Sequence, residues 1–171
     1  MSKVHYLAYG SNLHPKRLAQ RIPAARVLGT VELLGYKLAF HKRSVDGSGK
    51  CMFYTGQGND QIMYAVLYEF DSKYKKELDS LEGCGMGYVD TQIAVTLNGK
   101  QYTAYIYTAQ AGSIVSGLMP YYWYKKLVIA GANYHQFPAD YIASIQATVS
   151  QPDRDELRKQ ENDELVAELL D

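Results

Sequence analysis

The pattern of hydrophobic and polar positions predicts strands through most of the first 108 residues. Runs rich in Val, Tyr, Phe and Leu are separated by glycines, as is typical of short strands. The strand-like segments are residues 4–9, 26–44, 50–70, 88–97 and 100–108. In the last two segments apolar and polar residues alternate on either side of Asn98-Gly99, which is a strong hairpin signal. The sheet is therefore expected to be built largely from hairpins.

Helical spacing of apolar residues follows the strands and dominates the second half of the chain. Helices are predicted over residues 16–21, 71–81, 120–130 and 138–149, and in the tail from residue 152. Asp71 is a suitable N-cap for the second helix, Gly83 lies where its C-terminal cap belongs, and Gly131 is expected to close the third. Strands first and helices later indicate the α+β class.

No repeat, low-complexity tract or flexible linker divides the chain. We therefore predict one domain over residues 1–150 and a charged helical tail over residues 151–171. The apolar residues at the end of the tail, and the aromatic run 120–123, are candidates for a homodimer contact. For Tyr121, Tyr122 and Trp123 the alternative is core packing or a pocket wall.

Composition narrows the classes of function. Eighteen basic and eighteen acidic residues in 171 give a net charge of zero, which weighs against nucleic acid or an anionic membrane as the main partner. Cys51 and Cys84 are too few for a disulfide framework, and no signal peptide or membrane span is apparent, so we expect a cytoplasmic protein. Sixteen tyrosines against four phenylalanines suggest a polar cavity or a wet interface.

Motifs for metals, nucleotides and charged surfaces are weak. The four histidines are scattered, and none is paired at ligand spacing, so no metal site is predicted. The Gly-x-Gly runs lack the spacing of phosphate loops, and no cofactor is expected. Basic clusters such as His41-Lys42-Arg43 favour a solvated face.

The segment Tyr9-Gly10-Ser11-Asn12-Leu13 is the first candidate for ligand binding. It is not the G-x-S-x-G elbow of a serine nucleophile. Glycine after a strand instead lets the backbone turn sharply and a ligand approach closely. The N–H groups that follow, near the start of a helix, can bind a carboxylate.

Glu82 is the second candidate, because it ends a predicted helix at the negative pole of the helix dipole. A carboxylate is disfavoured there, which suits a group that has to take up a proton. The glycines at 83, 85 and 87 form a loop that permits close approach. We therefore predict that Glu82 is a general base, the alternative being an ordinary exposed glutamate.

The combination of Tyr9-Gly10-Ser11-Asn12 with a downstream L-D-x-x-E-G motif ending in Glu82-Gly83 resembles the γ-glutamylcyclotransferase (AIG2-like) family. The resemblance extends over residues 4–150. It implies a small mixed β-barrel-like sheet with flanking helices and a pocket at one end. It implies further that Glu82 is the catalytic residue and that the substrate is bound by Tyr9, Gly10, Ser11, Asn12, Leu13, Tyr88, Tyr107 and Tyr124. Tyr105 is an alternative to Tyr107.

The activity implied by the resemblance is cleavage of a γ-glutamyl group from γ-glutamyl-amino acids or amines, with release of 5-oxoproline and no cofactor. Asn12 after Ser11 favours the branch that acts on γ-glutamyl-amino acids. The expected partner is thus a small γ-glutamyl molecule rather than nucleic acid or membrane. Two alternatives stay open: a non-catalytic module that binds a small metabolite, and a cyclotransferase acting on a γ-glutamyl group tethered to a carrier protein.

Overall fold

The computed structural model describes residues 2–171, in which seven strands and five helices form. The strands are β1 (Lys3–Ala8), β2 (Arg26–Leu34), β3 (Lys37–Arg43), β4 (Gly49–Tyr54), β5 (Ile62–Asp71), β6 (Tyr88–Leu97) and β7 (Lys100–Ala109). The helices are α1 (Pro15–Arg21), α2 (Lys75–Leu81), α3 (Tyr122–Tyr134), α4 (Ala139–Gln146) and α5 (Glu156–Leu170). No helix within residues 2–171 is both long enough and apolar enough to cross a membrane.

Five strands form one mixed sheet in the order β2-β5-β1-β7-β6, and β3 pairs with β4 in a separate two-stranded sheet. The pairing of β1 with β7 is parallel, whereas the other pairings in the large sheet are antiparallel. The sheet curls until its two edges meet, since a Cβ placed on Gly29 of β2 would lie 3.0 Å from Leu97 of β6. The predicted α+β class with a barrel-like mixed sheet is confirmed.

The predicted hairpin forms between β6 and β7. Asn98 and Gly99 at its turn have φ angles of 51° and 76°, the left-handed conformation that a tight two-residue turn of this hand requires. The turn sets the register, in which Tyr88 pairs with Ala109 and Tyr107 with Asp90. Tyr88 and Tyr107 are therefore neighbours at the end of the hairpin opposite the turn.

The helix predicted after Asp71 starts with one 3-10 turn. The Asp71 carboxylate accepts a hydrogen bond from the backbone N–H of Lys73, at 3.0 Å, and the turn continues directly into α2. Gly83 has a φ of 65° just after the helix, as expected of a C-terminal cap. Glu82 consequently lies at the very end of α2.

The prediction that Gly131 ends the third helix is wrong, because α3 continues through it to Tyr134. A Cβ on Gly131 would lie 2.4 Å from the Leu13 Cβ and 2.8 Å from the His14 nitrogen. Glycine at this position therefore lets α3 pack directly against the chain that follows β1.

The tail helix α5 packs on α3. Val166 and Leu169, at the apolar end of the tail, are buried. Before the helix, the buried Asp153 carboxylate accepts a hydrogen bond from the Trp123 indole at 2.9 Å and pairs with Arg158 at 2.6 Å. These hydrogen bonds, the one from Arg158 first, hold the pKa of Asp153 well below its usual range. Most of the residues considered for a dimer contact thus pack within the chain, and a homodimer stays a prediction.

We expect Gly131→Ala to destabilise the protein by at least about 1 kcal/mol, because overpacking outweighs the higher helix propensity of alanine. The free energy of unfolding is measured by urea denaturation. Gly112→Ala is the matched control, since a Cβ there meets no atom within 4 Å and the change should stay within about 0.5 kcal/mol. Equal stabilities of the two variants would contradict the packing argument.

Candidate active site

A small cavity lies at one end of the sheet, and we call it the tyrosine cavity. Its walls come from β1 and the segment after it, β4, the end of α2, the β6–β7 hairpin and α3. The lining residues are Tyr6, Tyr9, Gly10, Ser11, Asn12, Cys51, Glu82, Tyr88, Tyr107 and Tyr124. The fold thus brings together every site residue predicted from the sequence except Leu13.

Leu13 lies behind the cavity wall rather than in it. Its side chain is fully buried against Gly131. Its carbonyl oxygen accepts a hydrogen bond from the Tyr68 hydroxyl at 2.8 Å, and a ring nitrogen of His135 lies at the same distance. Leu13 therefore anchors the cavity loop from the core side.

The loop at residues 10–12 lines the cavity and carries backbone donors. The Leu13 N–H donates to the Gly10 carbonyl at 3.1 Å and closes the turn. Within residues 2–171 the amide N–H groups of Gly10, Ser11 and Asn12 have no hydrogen-bond acceptor. Gly10 is required for packing, because a Cβ on it would lie 2.9 Å from the Cys51 Cβ. The loop therefore offers three free donors on a backbone that close packing holds in place.

The carboxylate of Glu82 is held through one oxygen. Oε1 accepts hydrogen bonds from the Asn12 side-chain amide at 2.7 Å and from Arg21 at 2.9 Å. The other oxygen, Oε2, accepts none from the described residues. The helix dipole is therefore not the only influence on Glu82, because two side-chain donors also bind its carboxylate. Glu82 therefore has a fixed orientation and one oxygen free for a ligand.

Helix α2 is tied to the hairpin beside the cavity. The Tyr107 hydroxyl donates to Asp79 Oδ1 at 2.7 Å, and Lys75 forms ion pairs with both Asp79 and Asp90. Burial, and then the hydrogen bond to Asp79, raise the pKa of Tyr107 above its ordinary value. This network fixes the helix end that carries Glu82.

The other tyrosine hydroxyls hold the cavity wall together. Tyr88 donates to the Cys51 carbonyl at 2.6 Å, and the Cys51 N–H donates to the Tyr124 hydroxyl at 3.0 Å. Tyr9 donates to the carbonyl of Tyr107 at 2.6 Å. Burial raises the pKa of Tyr9, Tyr88 and Tyr124 well above 10.0. They are therefore neutral, and their rings form much of the wall.

Three residues at the site, Tyr6, Cys51 and Arg21, are not predicted from the sequence. Tyr6 accepts a second hydrogen bond from the Asn12 amide, at 3.2 Å, and its place in the strand leading to the loop was a usable signal. No local pattern marks Cys51 or Arg21, because packing between distant elements brings Cys51 to the cavity and Arg21 to Glu82. Tyr105, the alternative to Tyr107, does not line the cavity.

The arrangement suits a small ligand that carries both a positive and a negative group. The side-chain oxygen Oδ1 of Asn12 is buried without a hydrogen-bond partner in residues 2–171, so it and Glu82 Oε2 are available acceptors. The loop N–H groups are available donors. In the same part of the chain, no three His, Cys, Asp or Glu side chains are grouped so that they could hold a metal ion.

Comparisons with known sequences agree with the motifs. The family model described as AIG2-like matches residues 62–145. γ-Glutamylcyclotransferase from Homo sapiens is 28% identical over 149 residues, which span 83% of this chain and 77% of that protein. γ-Glutamylcyclotransferase from Bos taurus is 29% identical over 142 residues, which span 80% of this chain and 73% of that one.

Solved structures show the same fold. A structure described as γ-glutamyl cyclotransferase superposes with a TM-score of 0.81 at 22% identity and covers 98% of this chain and 99% of its own. The crystal structure of an uncharacterized human protein gives a TM-score of 0.80 at 23% identity, with the same coverage. At these identities the likeness establishes the fold alone.

We expect Tyr88→Phe to lower the free energy of unfolding by about 1–3 kcal/mol, because the buried Cys51 carbonyl would lose its donor. Urea denaturation measures the change. The control is Tyr122→Phe, whose side chain is exposed and should have an effect within about 0.5 kcal/mol. A Tyr88→Phe variant as stable as this control would show that the hydroxyl does not brace the wall.

Proposed function

We propose that this chain is a member of the AIG2-like, γ-glutamylcyclotransferase-like family, and that it cleaves γ-glutamyl-amino acids or amines and releases 5-oxoproline. The observation that carries the proposal is the Glu82 carboxylate, which has one free oxygen and faces a tyrosine-lined cavity beside three free backbone donors.

The proposed reaction is intramolecular. The α-amino nitrogen of the γ-glutamyl unit attacks its own γ-carbonyl carbon, and the new C–N bond closes the five-membered ring of 5-oxoproline. The bond from that carbon to the leaving nitrogen then breaks. The α-ammonium loses two protons as it becomes the lactam N–H, and the departing amide nitrogen gains two and leaves as an ammonium, so no co-reactant is needed.

Glu82 is proposed to carry these protons. The α-amino group is an ammonium near neutral pH and becomes a nucleophile only after it loses its first proton; the second leaves after the new C–N bond has formed. The free Oε2 accepts the protons one at a time and passes each to the leaving nitrogen, a form of acid–base catalysis typically worth about 10²- to 10⁴-fold in rate. Asn12 and Arg21 keep the carboxylate in one orientation throughout.

The remaining cavity groups are proposed to fold the glutamyl chain. Its α-carboxylate would bind the N–H groups of Gly10, Ser11 and Asn12, while its ammonium contacts Glu82 Oε2 and Asn12 Oδ1. Such binding would also give a hydrogen-bond partner to the buried Asn12 oxygen, whose desolvation otherwise costs about 1–3 kcal/mol. With both ends of the amino acid held, the amine and the γ-carbonyl meet in a reactive geometry.

A substrate panel tests the proposal. The purified protein is incubated with γ-glutamyl dipeptides, glutathione and γ-glutamyl-lysine, and released 5-oxoproline is quantified. We expect release from at least one γ-glutamyl dipeptide without an added cofactor. Binding without release would instead favour the metabolite-binding module, and neither binding nor release would contradict a free γ-glutamyl substrate.

We expect Glu82→Gln to retain ligand binding and folding but to lose at least about 10²-fold in kcat, because the amide cannot accept the proton. The measurements are the rate of 5-oxoproline release and calorimetric binding of the best substrate. Glu77→Gln, an exposed change on the same helix, is the control and should keep full activity. A fully active Glu82→Gln variant would exclude Glu82 as the base.

A further inference from the structure

A second cavity adjoins the tyrosine cavity, and we call it the outer cavity. The two share the wall formed by Ser11, Glu82, Tyr88 and Tyr124. Glu82 therefore lies at the junction between them. A substrate whose γ-glutamyl half fills the tyrosine cavity would place its scissile bond at this junction and its leaving group in the outer cavity.

The outer cavity is lined by three cationic side chains, of which two are neutralised. Arg21 pairs with Glu82 at 2.9 Å, and Lys50 pairs with Asp46 at 3.2 Å. Lys42 forms no ion pair with any carboxylate in residues 2–171. One positive charge at the mouth of the candidate active site is thus left uncompensated.

Lys42 is also buried, with only 8% of its surface exposed, so the predicted solvated face is wrong for this residue. Its ammonium lies 4.5 Å from the centre of the Tyr88 ring, and a Cβ on Gly87 would lie 2.9 Å from it. A lysine that is largely buried without a carboxylate partner is unfavourable, and its ammonium still lines the outer cavity, where a ligand can reach it. This burial lowers the pKa of Lys42, although the carboxylates of Glu82 and Asp46 oppose the shift.

We propose that Lys42 binds a carboxylate on the leaving group and so makes the enzyme selective for γ-glutamyl-α-amino acids over γ-glutamylamines that lack this carboxylate. The inference rests on the proposed function. In an α-amino acid the carboxylate carbon is only two bonds from the scissile nitrogen, so it lies just beyond the junction at Glu82. There it meets the one cavity cation that has no partner within the described chain.

Two substrates that differ by a single carboxylate test the proposal: γ-glutamyl-alanine and γ-glutamyl-ethylamine. The wild-type protein should have the higher kcat/KM for γ-glutamyl-alanine. Lys42→Met should lower that kcat/KM by about 10- to 100-fold, mainly through KM, as expected when a charged hydrogen bond is lost. The kcat/KM for γ-glutamyl-ethylamine should change by no more than about threefold, and Lys42→Arg should restore most of the discrimination.

Lys37→Met, an exposed change on the same strand, is the control and should leave both substrates unaffected. Equal losses for the two substrates in Lys42→Met would overturn the proposal, because the residue would then serve the glutamyl half or the fold. If Lys42→Met does not fold, Lys42→Gln is tested in its place. The wild-type protein gives a second test: a kcat/KM for γ-glutamyl-alanine close to that for γ-glutamyl-ethylamine overturns the proposal. Absence of 5-oxoproline from both substrates with the wild-type protein would instead reject the proposed function itself.

Discussion

The segment from Gly10 to His14 lies between two surfaces that leave no room for an added Cβ, and the site depends on this packing. On one side Gly10 lies against Cys51 of β4, and on the other Leu13 lies against Gly131 of α3. Interiors packed at this density transmit small displacements instead of absorbing them. Because Asn12 is in this segment and donates to Glu82, the position of the carboxylate follows from the contacts on both sides of the loop.

The excess of tyrosine over phenylalanine has a structural explanation in the cavity wall. A buried phenol needs a hydrogen-bond partner, and here the partners are groups of the wall itself. Tyr88 donates a hydrogen bond to the backbone carbonyl of Cys51, and Tyr124 accepts one from its backbone N–H. Tyr107 donates to Asp79 of helix α2. Each ring lines the cavity and each hydroxyl hydrogen-bonds another group of the structure around it, which phenylalanine could not do.

A net charge of zero conceals an uneven arrangement of charge around the site. Opposite charges cancel within the Arg21–Glu82 pair and within the Lys50–Asp46 pair, and each pair holds its two side chains in place. Lys42 lies among them without a carboxylate partner in the described chain. A protein with no net charge can therefore still offer a ligand one uncompensated charge at short range.

The sequence by itself determined the features that depend on neighbouring residues. The hairpin turn at Asn98-Gly99, the cap at Asp71 and the helix end at Gly83 were predicted correctly, since each is governed by local backbone conformation and hydrogen bonding. The sequence motifs also identified most of the residues that line the tyrosine cavity.

Only the tertiary structure decided which residues from distant parts of the chain come into contact. The sequence around Gly131 predicts a helix end, but the residue lies within α3 and packs against Leu13. The sequence around Lys42 predicts a solvated cation, but the residue is buried next to Gly87. Arg21 joins Glu82 only because α1 and α2 meet at the cavity. The environment of a side chain is set by the residues that pack against it in the fold. When those residues are distant in the sequence, the local sequence does not predict the contact.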